Sequence, residues 1–209
     1  MCSCQSKVIG ALMLTGVLLV SGNIGNVYAD FPAGWGGGGK DYEFGVDRTV
    51  KHGGKASGSI KSTATEPLWY ASLTQAFKAD DFRGQRLRMT AYVKSKDVEG
   101  SAGLWMRIEG IDGKGNYSLS LDHMGGRPIK GTNDWKQYEV VLDVPKEGSA
   151  QIFFGVLLAG KGQVWVDDFK FEVVDKTVET TGRAREPVKM KHELSKGLPN
   201  EPKNLDFEQ

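Results

Sequence analysis

Gln85–Ser95 reads QRLRMTAYVKS. In an extended chain Leu87, Met89, Ala91 and Val93 fall on one side, and Arg88, Thr90, Tyr92 and Lys94 on the other. That period of two predicts a half-buried strand. The same alternation returns in AGLWMRIEG, where Leu104, Met106 and Ile108 oppose Trp105, Arg107 and Glu109. It returns again in NYSLSLD (Tyr117, Leu119, Leu121) and in KQYEVVLDVP (Tyr138, Val140, Leu142, Val144). QIFFGVLLAG and QVWVDDFKFEVV close the series, and YEFGVD, ASGSIKS and LWYASLTQAF precede it. Gly, Asp, Asn or Pro punctuates the runs, and none keeps a helical period. Eight or nine strands without a helix predict an all-β protein, a two-sheet antiparallel jelly-roll β-sandwich over residues 30–175.

The flanks read differently. Lys7, then the apolar run VIGALMLTGVLLV and small residues at Val27 and Ala29, predict a signal peptide over 1–29. The run is too short for a spanning helix of about 20 residues, so no stable membrane insertion is expected after cleavage, and the protein is expected to be secreted. Cys2 and Cys4 precede the apolar run, which leaves the mature chain without cysteine. Such a chain must be held by its core or by a bound ion. Lys plus Arg (27) nearly equals Asp plus Glu (26), so no basic excess points to a nucleic-acid partner. Residues 176–203 are charged, carry three prolines and show no sustained apolar face, and they read as a linker or tail. Trp35 stands in the glycine loop DFPAGWGGGGK and needs either an anchor or a ligand.

The order of the glycine turn KHGGKAS, SGSIKS, FRGQRLRMTAYVKS, LWMRIEG, GTNDWKQYEVVLDVP and QVWVDDFKFEVV resembles the galactose-binding-like jelly rolls used as carbohydrate-binding modules in secreted bacterial enzymes. The resemblance covers most of 42–174. It implies a non-catalytic module and a structural calcium. The ion would be held by Asp168, by Glu208 or Glu43, and by carbonyls around Lys51–Lys55. Members of that family open with an N-x-x-F-E strand ahead of Gly-Trp. Here NLDFEQ stands at the far end, 204–209. Three readings stay open for it: a returning strand that completes the sandwich, the opening of a second module, or a disordered tail.

The candidate site is the polar face of LWMRIEG. Trp105 offers a platform for a sugar ring, and Arg107 and Glu109 offer hydrogen bonds to hydroxyls. The irregular loop LDHMGGRPIKG adds Asp122, His123 and Arg127 at the border of the cleft. Trp69 and Tyr70 either extend that face or plug an edge of the sandwich. Each candidate has a structural alternative, with Arg107 paired to Glu109 and Arg127 to Asp122. No nucleophile elbow accompanies the histidines, and His52, His123 and His192 form no transition-metal motif. A glycosidase pair of Glu109 with Asp122 would need a separation of about 5–9 Å across a cleft. The chain is therefore expected to bind carbohydrate or another small ligand without catalysis. The alternative is a cell-surface protein-interaction or small-molecule sensor domain.

Overall fold

The computed structural model describes residues 31–112, 115–189 and 196–209. The expected signal segment and His192 lie outside them. Among the described residues ten strands follow in chain order: β1 (Gly36–Gly38), β2 (Tyr42–Asp47), β3 (Ser57–Ser62), β4 (Tyr70–Lys78), β5 (Arg86–Asp112), β6 (Gly115–Asp122), β7 (Ile129–Asp143), β8 (Ser149–Ala159), β9 (Gln163–Val174) and β10 (Arg183–Lys189). A single turn of 3-10 helix, Asp80–Phe82, joins β4 to β5. All the pairings are antiparallel.

QRLRMTAYVKS and AGLWMRIEG, which read as two strands, are one strand that serves two layers. The first part of β5 lies between β7 and β9, in the order β7-β5-β9-β3-β2. Its second part lies between β6 and β8, in the order β10-β6-β5-β8-β4-β1. The two parts are joined through a stretch where the register with β7 slips repeatedly between Val93 and Ala102. Asp97 adopts a left-handed φ of 51° there. The buried positions are odd-numbered before this stretch (Leu87, Met89, Ala91, Val93) and even-numbered after it (Leu104, Met106, Ile108). An irregularity of this kind bends a strand and re-aims its side chains. Gly100 is required at the bend, since a Cβ would stand 2.2 Å from the Ala159 carbonyl oxygen.

Between the layers lies one apolar core containing Ile60, Leu73, Phe77, Phe154, Val156 and Val166. Trp35 is its anchor at one end. The indole is 7 % exposed, and its ring packs on Phe154, Phe169 and Phe207. Phe207 comes from the far end of the chain. It is fully buried and stacks on Trp35 at 4.9 Å. The Trp35 Nε1–H donates to the Asn204 carbonyl (2.9 Å), and the Phe169 amide donates to the Leu205 carbonyl (3.0 Å). Asn204–Gln209 therefore returns into the sandwich as a turn-shaped plug, without strand pairing. The region 176–203 also departs from a plain linker, because β10 pairs with β6. That pairing skips from Ala184 to Val188, past Pro187, which has no amide to give a ladder.

Asp47 closes the turn after β2. It accepts from the Thr49 and Val50 amides, the Thr49 hydroxyl and the Trp165 indole. Burial raises its pKa, but these bonds outweigh burial and bring it down to about 2. The folded value lies below the unfolded one, so the stabilisation is present above the unfolded pKa and is lost as pH falls through about 2. Allowing for solvent screening of this partly exposed group, Asp47→Asn is expected to cost about 1 kcal/mol at neutral pH and to flatten the acid limb of stability between pH 4 and 2, read by urea unfolding.

Candidate functional site

The outer face of the second layer is where β5 turns Trp105 and Arg107 away from the core. Trp105 pairs across the ladder with Gly155, which brings no side chain to compete for that space. The indole Nε1–H donates to the Ser72 hydroxyl (2.8 Å), which is itself within 2.8 Å of the Thr74 hydroxyl. Arg107 lies against two rings, its guanidinium carbon 5.8 Å from the Trp105 centroid and 5.2 Å from that of Phe153. These residues, with Tyr70, Leu157 and His123, enclose a cleft of about 560 Å³. The period-two reading thus places Trp105 and Arg107 together on the open face. Ser72, Thr74 and Phe153 escape it, because only strand register brings them there.

Glu109 must be corrected. It follows Arg107 on the same face but is fully buried, its carboxylate 2.5 Å from Arg107 Nη2 and accepting from Gln151 Nε2 (2.8 Å). The carboxylate is spent on holding Arg107 in place and does not face the cleft. Asp122 is likewise 7 % exposed and is given to Arg127 (2.7 Å), with a further bond from the Met124 amide. Burial raises the Asp122 pKa, and the hydrogen bonds from Arg127, Thr181 and the Met124 amide more than offset this and hold it below the usual carboxylate value. Both carboxylates are thus committed to neighbouring arginines, Glu109 to Arg107 and Asp122 to Arg127, and do not face each other across the open cleft as a hydrolytic pair would.

Local chemistry explains the loop between β6 and β7. Met124, at a left-handed φ of 56°, sends its side chain into the core beside Gly103. Its neighbour His123 is thereby turned outward, folding over Gly125, where a Cβ would stand 2.5 Å from the ring. His123 lines the cleft, and Arg127 and Asp122 line the adjoining depression. Trp69 does not plug an edge. It is 85 % exposed at a left-handed φ of 66°, and Tyr70 beside it lines the cleft.

The turn 51–55 gathers carboxylates from β9 and from the C-terminal segment. A Cβ on Gly53 would stand 3.0 Å from Asp168 Oδ2, and one on Gly54 would stand 2.1 Å from Glu208 Oε1. The Glu208 carboxylate accepts the Lys55 and Ala56 amides, and Asp168 meets His52 Nδ1 at 2.7 Å. Asp167 alongside is held above the usual range, first by burial and also by the Asp168 charge. Asp168 and Glu208 thus close on one glycine turn, each already engaged, by His52 and by the two amides respectively. Glu43 does not join it. It is exposed and opposite Lys61, toward the other end of β2 from this turn. Among the described residues no group of three His, Cys, Asp or Glu side chains is arranged to hold a metal.

No family model matches the chain. The uncharacterized HTH-type transcriptional regulator YbfP of Bacillus subtilis is 44 % identical over 169 residues, 80 % of this chain and 53 % of that protein. The chain thus spans about half the length of this curated relative. No α-helix occurs among the described residues, so no helix-turn-helix lies within them. Similar solved structures include the CBM22-1 xylan-binding domain of Paenibacillus barcinonensis Xyn10C, at 19 % identity, 69 % of this chain, 88 % of that one and a TM-score of 0.49. A Stig cyclase, Fisc of Fischerella sp. TAU, matches at 14 % identity, 70 % and 87 % coverage and a TM-score of 0.50. At these identities the likeness concerns fold. The chain is an all-β, antiparallel jelly-roll β-sandwich, the fold class its alternating runs predict.

Proposed function

We propose that this chain binds carbohydrate non-covalently in the cleft over the second layer and performs no chemistry on it. The observation that carries this reading is the pairing of a fixed indole with a ring-backed guanidinium in one open cleft. A pyranose has an apolar C–H face and a polar edge, and Trp105 and Arg107 match one each. Ser72 and Thr74 fix the indole, and Glu109 and Gln151 fix the guanidinium, so little side-chain ordering is left for binding. The proposed setting is extracytoplasmic, reached through the N-terminal segment 1–29. On a glycan array probed with residues 30–209, Trp105→Ala is expected to lose at least about 2 kcal/mol of binding, as hot-spot aromatics do. The tryptophan fluorescence response to the sugar should vanish with it. Sugar binding unchanged in Trp105→Ala would exclude this cleft.

A second reading uses the same cleft as a sensor. The regulator named among the relatives supports it, since a ligand-binding module would suit such a protein. A small-molecule hit with a blank glycan array would favour it.

Calcium is proposed as a structural ion held by Asp168, Glu208 and carbonyls of the 51–55 turn. It would tie the C-terminal plug to the first layer and take no part in binding sugar. Calcium at a hundredfold excess over its Kd should stabilise the fold by about 2.7 kcal/mol, and chelator should reverse the rise in unfolding midpoint. An unfolding midpoint indifferent to calcium would exclude the ion.

A further inference from the structure

The cleft is the middle of a longer groove. It shares Thr74 and Phe153 with a hollow of about 400 Å³ walled by Trp35, Leu198, Pro199 and Lys203. On the other side it shares Leu121 and His123 with a hollow of about 530 Å³ bordered by Arg127 and Thr181. The groove therefore crosses the strands in the order β1-β4-β8-β5-β6. Five strands at about 4.8 Å spacing span about 19 Å. A single sugar seated on Trp105 would leave both ends untouched.

The wall at the Lys203 end is a built feature. The Lys203 amide donates to Gln75 Oε1 (2.7 Å), and its carbonyl accepts from Gln75 Nε2 (2.8 Å). Gln75 is buried, so this reciprocal pair is a fixed latch. The Lys78 amide donates to the Pro199 carbonyl (2.9 Å). β1 covers β4 only as far as Thr74, and the returning tail takes over from Gln75 to Lys78. The latch uses backbone, which leaves the Lys203 side chain exposed at the groove.

We infer that Leu198–Lys203 forms an outer subsite for a further unit of a linear polysaccharide, with Lys203 hydrogen-bonding its hydroxyls and Phe153 and Pro199 facing its apolar side. This rests on the carbohydrate reading of the cleft. Continuity through Thr74 and Phe153 selects the same ligand for both, and the length of the groove selects a chain over a terminal sugar.

The test is calorimetry with ladders of linear oligosaccharides of two to six units, neutral β-1,4-linked and uronic-acid-bearing, against the chain and its Lys203→Ala, Leu198→Ala and Trp105→Ala variants. Affinity should rise about tenfold from the shortest to the longest member, equivalent to about 1.4 kcal/mol. Lys203→Ala should remove most of that rise and leave the shortest member within about twofold. Trp105→Ala should abolish binding throughout. A flat ladder overturns the subsite, as does a full ladder retained in both tail variants, while the cleft reading survives either result. No binding by any ladder overturns the cleft reading and the subsite together.

Discussion

Phe207→Ala is expected to destabilise the protein by about 3–5 kcal/mol, the range for deleting a buried aromatic ring. The ring is fully buried, stacks on Trp35 and lies so close over Gly58 that a Cβ there would stand 2.5 Å from it. For a domain of this size each kcal/mol moves the unfolding midpoint by about 2–4 °C. Removing Asn204–Gln209 altogether should cost more, because Trp35 also loses the acceptor for its indole and Glu208 leaves the Lys55 and Ala56 amides. Asp206→Ala, at an exposed position of the same segment, should stay within about 0.5 kcal/mol. Thermal or urea unfolding reads all three. A loss below 1 kcal/mol in Phe207→Ala would show that the sandwich closes without its C-terminal plug.

The second large effect belongs to Glu109. Glu109→Ala should cost about 3 kcal/mol, because it leaves the Arg107 charge, three-quarters covered, without its counter-ion. The expected signature is non-additivity. Arg107→Met with Glu109→Ala should be less destabilised than the sum of the single changes by more than 1 kcal/mol. Glu109→Gln keeps the shape and removes the charge, so it should fold and still bind sugar more weakly, about tenfold, as Arg107 loses its fixed position. Full sugar affinity in a folded Glu109→Gln variant would remove Glu109 from any positioning role.

Much of this architecture is legible in the alternation of single runs. Leu87 to Val93 and Leu104 to Ile108 each declare one buried face, because a half-buried strand must alternate. The same rule puts Trp105 and Arg107 on a shared open face. It fails at Glu109, where period two gives the side but says nothing of the cross-strand Gln151 that encloses the carboxylate. It fails at Arg183–Lys189, whose charges and proline argue against a strand that exists because β6 has an edge to pair. Phe207 is the sharpest case. NLDFEQ carries strand-like spacing, yet the segment folds as a turn, and its burial depends on distant partners, Trp35, Gly58 and Phe169.

β5 has a consequence for the heat of binding. Because Arg86–Asp112 is one covalent strand shared by two layers, the layers cannot shear past each other without unzipping its ladders on both sides. The cleft floor just beyond the bend is thus rigid before any ligand arrives. Association should then show a small negative heat-capacity change set by the apolar area covered, with no component from coupled folding. On the proposed carbohydrate reading, the entropy lost on binding should fall on the flexible sugar, so a conformationally restrained glycan should bind more tightly than its free-jointed counterpart.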